Sequence, residues 1–139
     1  MKGLYLLDTN VMIEILRGRA DVARARLESA EGRIGVSTIT TMELEYGVER
    51  SSCPGRNRQA LDGLLSIVDV LPFDEGAALH AARLRAHLAR AGTPIGPYDI
   101  LIAGHARSLG LVVITNNVAE FARVPGLEIE NWLTPQANV

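Results

Sequence analysis

Short apolar runs alternate with segments of helical periodicity along the chain, and this alternation limits the possible folds more than any other feature. The apolar runs predict strands at residues 4–8, 34–37, 68–71, 111–115 and 127–129. Helical periodicity and capping residues predict helices at residues 11–16, 21–30, 39–50, 57–66, 74–91 and 97–110. Strands separated by helices predict an α/β fold in which a short parallel sheet is covered by helices.

The chain has 139 residues and no repeat, low-complexity tract or linker, so we expect a single domain over residues 1–139. Its net charge of −2 and its 47% of apolar residues are ordinary for a globular domain and do not by themselves indicate a nucleic-acid partner. No apolar run approaches the roughly 20 residues of a membrane span, and a secretory signal is absent from the N-terminus. The single cysteine, Cys53, cannot form an internal disulfide, so we expect a cytoplasmic location.

Asp8 stands at the end of the first apolar run, and Thr9 and Asn10 follow it before the first helix begins. This position places a carboxylate at the carboxyl end of a strand, which is the edge where ligands bind in open α/β sheets. We predict that this first strand is central in the sheet. Aspartate is also a common helix cap, so Asp8 alone does not indicate a functional site. The inference of a site depends on the other acids of the chain.

Glu43 lies in a helix in which Ile39, Met42 and Tyr46 share its face by helical spacing. Such a stripe normally packs against a core, where a lone carboxylate is costly unless it is paired, metal-bound or neutralised. Two interpretations therefore stay open. Either Glu43 is buried at a functional site, or the buried face of the helix is rotated and Glu43 lies at the solvent-exposed edge of that face.

Two further acids stand late in the chain, one in the first turn of a predicted helix and one in the loop after a predicted strand. Asp99 follows Pro97 in the first turn of a helix that is apolar on almost every side and is therefore predicted to be buried. The helix dipole alone would also favour an acid in that turn. Glu120 comes after Thr115, which ends an apolar strand, so its loop is predicted to emerge at the same sheet edge as Asp8.

These four acids are predicted to share one pocket, and that arrangement indicates a bound cation. Carboxylates in one pocket raise each other's pKa unless a cation neutralises them. Oxygen ligands without cysteine or a suitably placed histidine favour Mg²⁺ or Mn²⁺ over zinc. His80 and His87 lie about 10 Å apart along one helix, too far for a shared metal. Metal-assisted hydrolysis of a phosphodiester is the chemistry that follows most directly.

Four segments of the chain match the motifs of a known family in the family's order. They are Leu7-Asp8-Thr9-Asn10-Val11, Thr40-Thr41-Met42-Glu43-Leu44-Glu45-Tyr46-Gly47, Tyr98-Asp99-Ile100-Leu101-Ile102-Ala103, and Thr115-Asn116-Asn117 with Glu120-Phe121 and Val124-Pro125-Gly126-Leu127. On these segments the sequence resembles the PIN-domain ribonucleases, and in particular the VapC-type toxins of toxin–antitoxin pairs. The resemblance implies a three-layer α/β PIN fold, a Mg²⁺- or Mn²⁺-dependent endoribonuclease, an RNA substrate, a homodimer and a cognate VapB-like antitoxin.

The resemblance maps the acidic quartet of the family onto Asp8, Glu43, Asp99 and Glu120. Asp8 and Asp99 are expected to hold the metal, and Glu43 to complete the metal shell or align the attacking water. Many relatives carry aspartate in the fourth segment, at the position of Asn117 or of Glu120. The longer Glu120 is therefore expected to contact the metal through water or to position the nucleophile, instead of ligating the metal directly.

Neutral and basic residues near these acids are expected to support them. The residues expected to orient the carboxylates by hydrogen bonds are Thr9, Asn10, Thr115 and Asn117. The candidates for binding RNA phosphates are Arg17, Arg19, Arg50 and Arg56. The antitoxin is expected to lay an apolar helix in a groove and to place a basic residue in the acidic pocket.

Other classes with a strand-end aspartate fit the sequence less well. Haloacid-dehalogenase-like enzymes and receiver domains need a lysine near their acids, and the sole lysine, Lys2, precedes the first strand. The sequence contains no phosphate-binding loop and no dinucleotide-binding motif. Two alternatives stay open: an inactive PIN-like module that binds RNA or a protein, and a structure-specific DNA nuclease, which usually carries more acids and inserted helices.

Overall fold

Five short parallel strands form one sheet at the centre of the computed structural model, which describes residues 4–29 and 33–133. The strands are β1 (Tyr5–Leu7), β2 (Ile34–Ser37), β3 (Asp69–Leu71), β4 (Val112–Ile114) and β5 (Ile129–Glu130). Their order across the sheet is β3-β2-β1-β4-β5, and every neighbouring pair is parallel. The predicted α/β class and the central position of β1 are thus confirmed.

Seven helices are present within the described residues. They are α1 (Thr9–Leu16), α2 (Asp21–Ser29), α3 (Thr38–Glu49), α4 (Pro54–Leu65), α5 (Glu75–Arg90), α6 (Pro97–Leu109) and α7 (Val118–Phe121). Three elements begin two or more residues away from the predicted start, and the first of them is α1, which begins two residues early. Helix α4 begins three residues early because Pro54 suits the first helical position, and β5 begins two residues late. Helix α7 was not predicted because its four residues are too few to show a period. Ala30, the predicted end of the second helix, lies outside the described residues, and so does Lys2.

The sheet separates two apolar cores, because successive residues of a strand face opposite sides. In β1, Leu7 packs with α1 to α4, whereas Leu6 packs with α5 and α6. In β4, Ile114 and Val113 divide in the same way. Two helical layers and the sheet between them give the three-layer arrangement that the resemblance implies.

Helices α5 and α6 cross at an unusually short distance. A Cβ atom on Gly104 would lie 2.6 Å from the backbone nitrogen and Cα of Ala81, so glycine is the residue that permits this crossing. His105, the next residue in α6, is buried and its Nδ1 lies 2.9 Å from the hydroxyl of Ser37, the N-cap of α3. These contacts fix α6, which carries Asp99, relative to the rest of the domain.

None of the helices within the described residues is both long enough and apolar enough to cross a membrane.

Candidate active site

Asp8 directly follows the central strand and is almost completely buried, with 1% of its surface exposed. One carboxylate oxygen caps helix α1 by accepting a hydrogen bond from the backbone nitrogen of Val11 at 2.9 Å. The other accepts a hydrogen bond from the hydroxyl of Thr115 at 2.5 Å. Thr115 follows the neighbouring strand β4 and is fully buried, so two adjacent strand ends fix this carboxylate in one orientation.

The pKa of Asp8 is raised above its ordinary value. Burial is the main cause, and the negative charge of Glu43 adds to it. The hydrogen bonds from Thr115 and Val11 act in the opposite direction by stabilising the carboxylate, without cancelling the effect of burial. A cation close to this buried carboxylate would stabilise its charged form.

Glu43 is half-buried on α3, and its surroundings decide between the two interpretations of this helix. The buried side chains of α3 are Thr40, Leu44 and Val48, four residues apart, whereas Met42 and Tyr46 are 43% and 62% exposed. The interpretation in which the stripe of Met42 and Tyr46 faces the core is therefore wrong. Both faces of α3 carry apolar residues, and the face that follows the i, i+4, i+8 spacing is the one that packs. Glu43 lies at the margin of this packed face.

Thr9 holds Glu43 from the start of α1. Its hydroxyl donates to a carboxylate oxygen of Glu43 at 2.6 Å, and the hydroxyl of Thr40 lies 3.1 Å away. A threonine hydroxyl carries a single proton, and a bond to a carboxylate is the stronger of the two because it is charge-assisted. Thr9 is buried, so Glu43 is held on the side of the cleft where Asp8 lies.

Glu120 is held by hydrogen bonds on both of its carboxylate oxygens. Oε1 accepts from the backbone nitrogen of Gly96 at 2.5 Å, and Oε2 accepts from the side-chain amide of Asn117 at 2.7 Å. A Cβ atom on Gly96 would lie 3.2 Å from Oδ2 of Asp99 and 3.3 Å from Oε1 of Glu120. Gly96 therefore lies against both carboxylates, and it is also the N-cap residue of α6.

Asp99 and Glu120 have pKa values that move in opposite directions. Burial, a hydrogen bond shared with Glu120 and the negative charges of Glu120, Asp8 and Glu43 raise the pKa of Asp99 to about 7. The pKa of Glu120 is lowered, mainly by the Gly96 hydrogen bond, with smaller contributions from Asn117 and Asp99. Of this pair, Asp99 thus holds the proton and Glu120 carries the charge.

All four predicted acids meet at one cleft at the carboxyl edge of the sheet. Glu43 and Asp99 line it together with Thr9, Asn10, Gly96, Pro97 and Tyr98. Asp8 and Glu120 do not line the cleft, but both are near enough for their negative charges to raise the pKa of Asp99. The donors are carboxylates and hydroxyls, the ligand set of a hard divalent cation, and the raised pKa of Asp99 marks negative charge that a cation would neutralise.

The carboxylates are not arranged as a closed ligand cage. Among the described residues, no three histidine, cysteine, aspartate or glutamate side chains converge on one point suitable for a metal ion. Asp8 and Glu120 each accept one hydrogen bond on both carboxylate oxygens, which leaves every one of these oxygens a further lone pair for an ion or a water. The set fits an ion that keeps several water ligands and takes a small number of carboxylates, as Mg²⁺ usually does.

The residues predicted to support the acids differ in their placement. Thr9, Thr115 and Asn117 donate hydrogen bonds to Glu43, Asp8 and Glu120 respectively, as described above. Asn10 is exposed and lines the cleft, and in the described part of the chain its side chain makes no hydrogen bond to these acids.

The predicted arginines lie around the cleft and not in it. Arg17 lines an adjoining groove with Glu43, whereas Arg19 forms an ion pair with Glu14. Arg56 is exposed on α4. Arg123 was not predicted, yet its charge lowers the pKa of Glu120, and its guanidinium donates to the carbonyl of Pro94 at 2.9 Å. Its position three residues after Glu120, at the end of a short helix, is the signal that would have identified it.

Comparison with known proteins identifies similar chains across nearly the whole length. The family described as PIN domain matches residues 5–127. A tRNA(fMet)-specific endonuclease VapC of Salmonella typhimurium is 48% identical over 128 residues, which is 92% of this chain and 97% of the relative. Ribonuclease VapC2 of Haemophilus influenzae is 40% identical over 129 residues, 93% of this chain and 98% of the relative.

Solved structures resemble the fold closely. The DNA-bound VapBC of Salmonella typhimurium superposes with a TM-score of 0.90 at 48% identity, covering 95% of this chain and 99% of the other. VapBC2 of Rickettsia felis, bound to a DNA fragment from the promoter, gives a TM-score of 0.88 at 34% identity, covering 95% and 99%.

Proposed function

Since the chain belongs to the PIN-domain family, we propose that it is a single PIN domain that acts as a divalent-metal-dependent endoribonuclease, the toxin of a VapBC-type pair. The similarity of the chain to VapC proteins confirms the resemblance found in its four sequence segments. The observation that carries the proposal is the convergence of Asp8, Glu43, Asp99 and Glu120 on one cleft from four different elements.

Asp8 and Asp99 are the acids we assign to the metal, with Mg²⁺ or Mn²⁺ as the ion. The bound ion would activate water and stabilise charge on the phosphodiester. Thr115 keeps Asp8 in place from β4, and burial prevents bulk water from competing for its oxygens. Glu43 is half-buried, lines the cleft and is held by Thr9, so it is placed to accept a proton from the attacking water or to complete the metal shell.

Glu120 acts by positioning Asp99. Its two oxygens are bonded to Gly96 and Asn117, so the negative charge of Glu120 stands next to Asp99 while its carboxylate stays attached to the loop that begins α6. The proton that Asp99 shares with Glu120 is the one that a metal would displace. Positioning Asp99 differs from both roles that the sequence led us to expect for Glu120, which were contact with the metal through water and positioning of the nucleophile.

The substrate and partners follow from the relatives. One relative is named for cleavage of the initiator tRNA, so tRNA is the RNA to test first. Solved neighbours are VapBC complexes, and we propose a VapB-like antitoxin and a homodimer for this chain. Cytoplasmic location is part of the same proposal and is supported by the lone cysteine, Cys53, which is exposed and unbridged.

Cleavage of a defined RNA pool by the antitoxin-free protein tests this function. The pool contains tRNA and single-stranded RNA, and cleavage is compared in Mg²⁺, in Mn²⁺ and in EDTA. We expect metal-dependent cuts that leave a 5′-phosphate and a 3′-hydroxyl. Asp99→Asn should abolish them, whereas Glu49→Gln, an exposed acid of the helix that carries Glu43, should leave them unchanged.

Three results would contradict the proposal. Cleavage that persists in Asp99→Asn would place the active site elsewhere or reveal a contaminant. Metal binding without cleavage of any RNA in the pool would instead favour an inactive PIN-like binding module. Cleavage of flap-containing DNA in preference to RNA would identify a structure-specific DNA nuclease.

A further inference from the structure

The exposed aromatic rings of this protein lie beside its acids. The chain has six aromatic residues, and all six lie in the described segments. Four of them are used in packing: Tyr5 against Trp132 with ring centroids 5.0 Å apart, Phe73 against His105 at 5.5 Å, and Phe121, which is completely buried. The other two, Tyr98 and Tyr46, are 46% and 62% exposed.

Each exposed ring stands on a helix that contributes an acid to the cleft. Tyr98 immediately precedes Asp99 and lines the cleft itself. Tyr46 lies three residues after Glu43 on α3, a spacing that puts their Cβ atoms about 5–6 Å apart on the helix surface. Neither position is required for folding, because the buried face of α3 is formed by other residues and α6 packs through its apolar face beyond Asp99.

The negative charge of the cleft opposes RNA binding, and the exposed rings offer a contact with RNA that does not depend on charge. Four acids repel a phosphate backbone, the net charge of the chain is −2, and the predicted arginines stand outside the cleft. Aromatic rings bind nucleic acid without using charge, because unpaired bases stack on them whatever their sequence. Such stacking requires splayed, single-stranded bases, which are the usual targets of RNA-binding side chains.

We propose that Tyr98 and Tyr46 are base-stacking platforms that hold unpaired nucleotides near the scissile phosphate. The proposal rests on the proposed ribonuclease function and adds to it the form of RNA that the cleft accepts. The guanidinium of Arg50 lies over the Tyr46 ring at 5.7 Å, which holds the ring in place and brings a positive charge next to the stacked nucleotide. A base-paired stem cannot present its bases to these rings, so loops and single strands are the accepted substrates.

The proposal is tested by measuring kcat/KM for protein variants on intact RNA and on RNA that lacks one base. The substrate is a single-stranded RNA that the wild type cleaves, together with versions that carry an abasic residue at each position flanking the cut. For the wild type, one flanking abasic residue should lower kcat/KM about 5- to 150-fold, the range expected for loss of one stacked base. Tyr98→Ala should show a similar loss on intact RNA, chiefly through KM, and less than a further twofold loss on the abasic RNA.

Matched variants separate stacking from folding. Tyr98→Phe keeps the ring and should stay within twofold of the wild type. Leu109→Ala removes an equally exposed apolar side chain from the far end of α6, about 16 Å away along the helix axis, and should have no effect. The proposal is overturned if the kcat/KM of Tyr98→Ala on intact RNA is within twofold of the wild-type value. It is also overturned if an abasic residue lowers kcat/KM by the same factor in Tyr98→Ala and in the wild type.

A binding measurement distinguishes failure of stacking from failure of the nuclease function. A single-stranded RNA carrying 2-aminopurine is titrated with protein in EDTA at low salt, where no cleavage occurs. Fluorescence quenching by the wild type and by Tyr98→Phe, but not by Tyr98→Ala, supports stacking even if no RNA is cut. Absence of quenching by the wild type overturns the proposal. If Tyr46→Ala affects only antitoxin binding, Tyr46 is part of a protein interface and the platform at that ring is excluded.

Discussion

Replacing Asp99 by asparagine should stabilise the metal-free protein at neutral pH while it removes activity. Asparagine has the shape of a protonated aspartate and, like it, can donate a hydrogen bond to Glu120. In the wild type, ionisation of Asp99 places a charge beside Glu120, Asp8 and Glu43 in a half-buried position. The substitution removes this repulsion and leaves the packing of α6 unchanged.

The size and the pH dependence of the effect follow from the pKa of Asp99, which is about 7 in the folded protein against an ordinary value of 3.8. Each pKa unit corresponds to about 1.4 kcal/mol, and because Asp99 is partly open to solvent we discount the total to about 1–2 kcal/mol. A raised pKa means that the folded state binds more protons than the unfolded chain between these two values. The free energy of unfolding of the wild type therefore falls as the pH rises from about 4 to 7.

Urea unfolding in EDTA at pH 4 and at pH 8 measures this difference. At pH 8 Asp99→Asn should be the more stable protein by about 1–2 kcal/mol, and at pH 4 the two should be nearly equal. Asp62→Asn, at an exposed acid on α4, serves as the control for removing a charge without removing this repulsion. Equal stability of wild type and Asp99→Asn at pH 8, or the same difference at both pH values, would refute the reasoning.

Three further outcomes test the structure. Thr115→Val removes the hydrogen-bond donor to buried Asp8, so we expect the free energy of unfolding in urea to fall by about 1–3 kcal/mol. Calorimetry should show Mn²⁺ binding that is about 10- to 100-fold weaker. Thr115→Ser keeps the hydroxyl and should retain both the stability and the Mn²⁺ affinity of the wild type. Gly104→Ala pushes a methyl group into the backbone of Ala81 and should lower the free energy of unfolding by about 1–3 kcal/mol. Gly63→Ala, in a helix with open space around the glycine, should instead raise it by about 0.5–1 kcal/mol, and a loss there would contradict the packing argument. Mn²⁺ should raise the thermal midpoint of the wild type but not of Asp99→Asn, and an equal rise in both would place the ion elsewhere.

Local signals in the sequence were sufficient for most of the fold. Turn residues and helix caps such as Asp8 and Asp74 bond to backbone nitrogens three residues later, so they mark helix starts without any knowledge of tertiary contacts. The three central strands, β2, β1 and β4, are largely buried because helices cover both faces of the sheet, and their apolar pattern is also local. Helix α7 was missed because a single turn has no period to detect.

The candidate site was only partly predictable, because its geometry depends on distant contacts. The four acids were recognised from their positions near strand ends and helix starts and from the family motifs. The face of α3 on which Glu43 lies was not decidable, since apolar residues occur on both sides of that helix. The bonding of Glu120 to Gly96, 24 residues earlier, follows only from the packing of α7 against the loop before α6. Arg123, in contrast, follows Glu120 by three residues and its charge acts on that carboxylate directly, so a local signal could have identified it.

The hydrogen bond between Thr115 and Asp8 joins residues that are 107 positions apart, and it has a consequence for how the protein is made. A growing chain exposes Asp8 early, but β4 pairs with β1 only after residues 112–114 have left the ribosome. Asp99 lacks its neighbour Glu120 until α7 follows. Translation takes place among ribosomal, transfer and messenger RNA, the very class of molecule this domain is proposed to cut. Because β4 and α7 both come late in the chain, the four-acid site is complete only after most of the domain has been synthesised.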